Sequence, residues 1–82
     1  MQITFKLFAT LMSYLPPGAN KNAINIEVAP GTTINQLIEK YQVPHSEVHL
    51  VLLNGLFITE SDRDQAVKDG DTLAIWPPVA GG

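Results

Sequence analysis

The stretch that decides the fold runs from residue 48 to residue 58 and reads Val48-His49-Leu50-Val51-Leu52-Leu53-Asn54-Gly55-Leu56-Phe57-Ile58. An Asn-Gly pair between two apolar runs predicts a two-residue β-hairpin, because both turn positions accept positive φ angles. The hairpin pairs Leu53 with Leu56 and Leu52 with Phe57, and the next pair is Val51 with Ile58. Because side chains alternate between the two faces of a strand, this register assigns every residue of strands 48–53 and 56–58 to a face.

Three further strands are predicted on either side of this hairpin. Residues 2–8 and 23–29 alternate between apolar and polar side chains, which is the periodicity of a half-buried strand. A last strand, 72–76, follows the turn sequence Asp69-Gly70-Asp71. One face of these strands is expected to form the core, with Ile3, Phe5, Leu7, Ile24, Ile26, Val28, Val51, Leu53, Ile58, Leu73 and Ile75.

The clearest helix of the chain follows Thr33. Thr33 is a good N-cap and Gln36 completes a capping box. The next apolar residues recur at helical spacing and form one stripe: Ile34, Leu37, Ile38 and Tyr41. Shorter turns are expected over residues 9–15 and from a cap at Ser61. This order of elements predicts an α+β fold, a mixed sheet of four to five strands with one main helix across one face.

A single helix covers only one face of a sheet, so the other face is predicted to be an exposed apolar patch. It would contain Phe8, Leu50, Leu52, Phe57, Ala74 and Trp76. Exposed patches of this kind mark protein interfaces, and large aromatic residues are typical anchors there. The alternative is that a loop folds over the patch.

Composition excludes several classes of function. The 82 residues suffice for one domain, and the net charge of −3 argues against nucleic acid as a partner. The absence of cysteine excludes disulfides and thiol nucleophiles, and it is compatible with the cytoplasm. No apolar run approaches membrane-spanning length. His45 and His49, the only histidines, do not predict a metal site, and no catalytic motif is recognisable.

The sequence ends in a slender segment, Pro77-Pro78-Val79-Ala80-Gly81-Gly82. The prolines favour an extended path, and fully extended the six residues reach roughly 20 Å. Two final glycines leave the terminal carboxyl group unshielded and let the tail enter a narrow site. We therefore predict a folded domain, residues 1–76, followed by an extended tail, residues 77–82. A frayed terminus is the alternative.

The element order and the terminal block together resemble the ubiquitin-like β-grasp sulfur-carrier family, most closely the small subunit of molybdopterin synthase. The resemblance covers nearly the whole chain. It rests on residues 5–9, the Thr33 helix, the stretch 51–55 and, above all, residues 69–82. In that family the terminal glycine is adenylated by an adenylyltransferase similar to ubiquitin-activating enzymes, which uses ATP and magnesium. The glycine then becomes a thiocarboxylate, whose sulfur goes to a substrate held by the molybdopterin synthase large subunit or an equivalent acceptor enzyme.

The resemblance implies a role for specific residues of this chain. Gly82 would be the covalent carrier, and the tail would thread into a partner through Pro77, Pro78, Val79, Ala80 and Gly81. The partner interface would comprise Phe8, Leu50, Leu52, Phe57 and Trp76. The chain itself would bind no cofactor and would not be an enzyme.

Several functions share this tail. The first expectation is a sulfur carrier for molybdopterin synthesis. A carrier for thiamine, tungsten cofactor or cysteine would have the same ending. A ubiquitin-like modifier would use Gly82 to form isopeptide bonds with lysines of target proteins. The last alternative is a β-grasp binding module in which the Gly-Gly ending has no function.

Overall fold

The structure is a computed structural model that describes residues 1–79. These residues form the strands β1 (Gln2–Leu7), β2 (Ala23–Glu27), β3 (Leu50–Leu53), β4 (Leu56–Phe57) and β5 (Thr72–Trp76). The helix α1 spans Ile34–Lys40, and short 3-10 helices span Ala9–Tyr14, His45–Glu47 and Glu60–Asp62. The predicted order of elements is confirmed. The strands β1, β2 and β4 end one or two residues earlier than predicted, and β3 starts two residues later. The last 3-10 helix has Thr59 as its N-cap, so the cap predicted at Ser61 was wrong.

The strands form one mixed sheet in the order β2-β1-β5-β3-β4. The central pair, β1 and β5, is parallel, and the other neighbours are antiparallel. The parallel pair needs a long crossover, and the segment between β2 and β3, which contains α1, lies within it. The predicted mixed sheet is therefore confirmed, with β5 at its centre leading directly into the C-terminal segment.

The Asn-Gly hairpin has the predicted register. Asn54 and Gly55 adopt φ angles of 53° and 82°, as the two-residue turn requires. Leu52 pairs with Phe57 in the sheet, and Leu53 pairs with Leu56. This turn therefore places Phe57 and Leu56 on opposite faces of the sheet.

The start of α1 is stabilised from within the helix and from a distant segment. Thr33 and Gln36 form the predicted capping box, with the Gln36 N–H 3.1 Å from Thr33 Oγ1 and the Thr33 N–H 2.9 Å from Gln36 Oε1. The Ile34 N–H donates to the carbonyl of Gln65 at 3.2 Å. Because helix starts leave free N–H groups, these contacts stabilise α1 although it has only seven residues.

The core lies between α1 and one face of the sheet. Nine of the eleven residues predicted to face the helix are buried, and the other two, Ile24 and Leu53, are half-buried against the same cluster. Three residues of α1, Ile34, Leu37 and Ile38, are also fully buried. The alternation of the strands and the helical stripe thus predicted correctly the part of the core that these strands and α1 contribute.

Asn54 and Asp71 form a polar clasp between the hairpin and the start of β5. Asn54 Nδ2 donates to Asp71 Oδ1 at 2.8 Å, and Asn54 Oδ1 accepts from the Thr72 N–H at 2.8 Å. The second carboxylate oxygen of Asp71 accepts from the Lys68 N–H at 2.8 Å. The clasp connects three segments that meet at this end of the sheet.

We expect Asn54→Gly to lower the free energy of unfolding by about 1 kcal/mol, because it removes two exposed hydrogen bonds while keeping the positive φ angle. Asn54→Ala should cost about 1 kcal/mol more, since alanine is strained at positive φ. Urea denaturation of the three proteins measures both steps. Equal stability of the glycine variant and the unmodified protein would show that the clasp contributes nothing.

Candidate partner-binding surface and tail root

The face of the sheet opposite α1, here called the open face, carries most of the residues predicted to contact a partner. The strand register aligns one row of side chains across it, namely Lys6, Ala74, Leu52 and Phe57. Leu50 and Trp76 lie opposite each other in the next row of the open face, which is nearer to the C-terminal segment. The structure thus brings together four of the predicted contact residues on adjacent strands, and Phe8, the fifth, lies next to them against the Trp76 ring.

These contact residues differ in exposure. Phe8, Leu50, Leu52 and Trp76 are half-buried. Phe57 is 60% exposed, so no loop among residues 1–79 covers it. Ala74, predicted to be part of the exposed patch, is only 7% exposed, because its short side chain lies between those of Lys6 and Leu52 on the neighbouring strands. The half-buried Leu50 and Leu52 therefore connect the exposed Phe57 to Trp76 along β3, and Ala74 adds little exposed surface.

The rings of Phe8 and Trp76 stack in parallel at the end of the sheet. Their centroids are 4.1 Å apart and the ring planes differ by 6°. Phe8 directly follows β1, and its N–H donates to the Ile75 carbonyl at 3.1 Å. Ala9 then has a φ angle of 52°, an uncommon value for a residue other than glycine, which turns the chain away from the sheet. This stack holds the Trp76 ring in a fixed orientation.

Trp76 is also the last residue of β5, so it forms the root of the tail. Its carbonyl accepts from the His49 N–H at 3.0 Å, which holds the backbone at this point. Beyond it, Pro77 is half-buried, Pro78 is exposed and Val79 is 75% exposed. The tail therefore leaves the sheet from a fixed position. The remaining predicted tail residues lie outside the described part of the chain: Ala80, Gly81 and Gly82.

Charge is sparse on the open face. At the β2 edge, the Glu27 carboxylate accepts from the Met1 ammonium group at 2.8 Å, and this hydrogen bond and charge hold the pKa of Glu27 below its usual value. Lys6 is the charged residue in the interior of the face. Lys6 was not among the predicted contact residues, although the alternation that placed its apolar neighbours Phe5 and Leu7 in the core also assigns Lys6 to the open face.

The described residues offer no metal centre. Within residues 1–79, no three His, Asp or Glu side chains come close enough together to hold a metal ion. In the same part of the chain, no helix has the length and apolar character needed to cross a membrane.

Comparison with known proteins places the chain in a family. A sequence model described as Mut7-C ubiquitin matches residues 1–81. The chain belongs to the Mut7-C ubiquitin family. No curated protein shows significant sequence similarity to it.

Solved structures confirm the ubiquitin-like β-grasp fold and the predicted resemblance to the small subunit of molybdopterin-converting factor. A putative molybdopterin converting factor subunit 1 from Pyrococcus furiosus is 25% identical with a TM-score of 0.68, covering 95% of this chain and 98% of its own. SAMP1 from Haloferax volcanii, a small archaeal modifier protein, is 24% identical with a TM-score of 0.69 over the full length of both chains. The complex of subunits 1 and 2 of molybdopterin-converting factor from Helicobacter pylori matches at 19% identity and a TM-score of 0.60, again over both full lengths.

Proposed function

We propose that this protein is a sulfur carrier whose Gly82 carboxyl group is converted to a thiocarboxylate. One observation carries the proposal: Trp76 belongs both to the open face and to the root of the tail. A partner that docks on the open face therefore receives the tail at a defined place. The similarity to converting factor subunit 1 of Pyrococcus furiosus supports this assignment.

The chemistry requires only the tail from this chain. The Gly82 carboxylate attacks the α-phosphorus of ATP on an activating enzyme, which also binds magnesium, and pyrophosphate leaves. A sulfide nucleophile then attacks the carbonyl carbon of the acyl adenylate, and AMP leaves with the original oxygen atom. The product is a thiocarboxylate at Gly82. Because the chain has no cysteine, the transferred sulfur is never held on a thiol of its own.

Two partners follow from this proposal. The first is an adenylyltransferase similar to ubiquitin-activating enzymes, and the second is an acceptor enzyme that uses the sulfur, most simply a molybdopterin synthase large subunit. In Helicobacter pylori, subunits 1 and 2 of molybdopterin-converting factor form a protein–protein complex. By analogy, Phe8, Leu50, Leu52, Phe57 and Trp76 would contact these partners. Residues 1–76 would form the docking domain, and residues 77–82 would enter the active site of the partner.

The intact mass of the protein tests this function. After incubation with ATP, magnesium, sulfide and the activating enzyme of the same organism, we expect a gain equal to replacing one oxygen atom by sulfur. Fragmentation should place the change at Gly82, and a reaction without ATP should leave the mass unchanged. The proposal requires Gly82 to be the last residue of the mature protein. An unchanged mass with an active enzyme would contradict it.

Conjugation to proteins is a second candidate function, favoured by the similarity to SAMP1. In that case a lysine amine, rather than sulfide, attacks the activated Gly82 carbonyl and an isopeptide bond forms. Incubation of the activated protein with cell extract would then give a ladder of higher-mass species. Loss of the ladder without Gly82 would support this candidate, whereas a thiocarboxylate without any ladder would support the carrier.

A further inference from the structure

Lys6 occupies a distinctive place on the open face. It lies on β1, with Ala23 on β2 and Ala74 on β5 as its direct cross-strand neighbours. Both neighbours carry only a methyl group, so the much longer Lys6 side chain rises above them and can be reached by a docking surface. The apolar side chains of Leu52 and Phe57 continue the same row.

Lys6 has no ionic partner within residues 1–79. The two ion pairs in this part of the chain, Met1 with Glu27 and His45 with Glu39, do not involve it. The protein as a whole is acidic, with a net charge of −3. Lys6 is therefore a local positive charge among apolar and small residues on an otherwise acidic protein.

Docking on this face has a consequence for the Lys6 ammonium group. A partner that covers Leu52 and Phe57 and extends along the same row across Ala74 also removes water from Lys6. Removing water from an unpaired charge is costly, whereas a carboxylate placed opposite restores a favourable interaction. A partner surface without such a carboxylate would be discriminated against.

We propose that the partner that docks on the open face presents an aspartate or glutamate to Lys6 from within an apolar contact surface. This inference rests on the proposed function, because it describes the surface of the partner that receives the tail. The pairing makes Lys6 a specificity-determining residue. It selects among partners by charge, while Phe57 and Trp76 supply the apolar contact.

The experiment compares three variants in binding to the molybdopterin synthase large subunit of the same organism, measured by calorimetry. Lys6→Met keeps an apolar stem and removes the charge, and Lys6→Glu reverses the charge. Lys40→Glu is the matched control, because it changes the net charge equally but lies on α1, on the other side of the sheet. Denaturation of each variant checks that it is folded.

We expect Lys6→Met to weaken binding about 10-fold and Lys6→Glu about 100-fold or more, while Lys40→Glu changes it less than about threefold. Higher salt should weaken binding of the unmodified protein more than that of Lys6→Met. A lysine substituted for the facing carboxylate of the partner should restore binding of Lys6→Glu.

The outcomes separate this inference from the proposed function. If the unmodified protein binds and all three variants bind equally, the Lys6 pairing is wrong and the carrier function stands. If the unmodified protein does not bind the large subunit, the proposed partner is wrong and the pairing falls with it. If the protein alone sediments as a dimer that Phe57→Ser dissociates, a second copy occupies the face and the inference is also wrong.

Discussion

Deletion of Gly82 should reduce sulfur delivery to the acceptor enzyme at least about 100-fold, with no change in the free energy of unfolding. The stability of the domain should be unaffected because the hydrophobic core that holds the fold together is formed by residues between Ile3 and Ile75. The loss of activity follows from the fixed root of the tail. Trp76 is held by the Phe8 ring and by the His49 N–H, so the tail starts from a fixed point and the number of residues beyond it limits its reach.

One residue changes that reach by about 3.5 Å. Reacting groups must approach to about 3–3.5 Å, and a displacement of about 1 Å can already cost 100-fold in rate. A tail that is one residue too short therefore leaves the reacting carbon outside the active site of the partner. A protein with one alanine added after Gly82 is the complementary variant. It keeps Gly82 but moves the terminal carboxyl group outward and adds a side chain.

We expect the shortened and the lengthened proteins both to fail in sulfur delivery, measured as conversion of the acceptor substrate in a reconstituted reaction. Both should still bind the acceptor enzyme through the open face, because Phe57 and Trp76 are unchanged. Full activity of either protein would show that the Gly82 carboxyl group is not the carrier. Loss of stability in either would instead show that the tail contributes to the fold.

Much of the fold follows from short-range patterns. The Asn54-Gly55 turn sets the register of its hairpin because few residues tolerate its backbone angles, and the capping box sets the start of α1 by local hydrogen bonds. Most of the core then follows from strand alternation and the helical stripe, whereas Leu11, Val43 and Val67 lie outside both patterns. Contacts between distant segments could not be predicted in this way, as the Asn54–Asp71 clasp shows, because the sequence does not state which polar side chains meet.

The candidate site was predictable to a similar extent. Alternation assigned Leu52, Phe57 and Trp76 to the open face, and the structure places them there. The burial of Ala74 was not predicted, because it depends on the size of the side chains on the two neighbouring strands. The stacking of Phe8 on Trp76 also depends on the parallel pairing of β1 with β5, which brings together residues that are far apart in sequence.

The last prediction concerns Phe57 and its neighbour Leu56, which differ mainly in the face they occupy. They are 60% and 71% exposed, so truncation of either should change the free energy of unfolding by less than about 1 kcal/mol. Phe57 lies in the open-face row with Leu52, whereas Leu56 pairs with Leu53 on the helix side. An exposed aromatic residue at the centre of an interface is a typical binding hot spot.

We therefore expect Phe57→Ser to weaken binding to the large subunit at least about 30-fold, as for a hot-spot residue, and Leu56→Ser to leave binding within about threefold. The two variants can be compared directly, because both residues lie on β4, both are mostly exposed, and both substitutions are expected to change stability little. If both variants bind the large subunit as tightly as the unmodified protein, β4 is not part of the interface. Weaker binding of Leu56→Ser alone would place the partner on the helix side, where neither the tail root nor Lys6 could contribute, since both lie on the opposite face of the sheet.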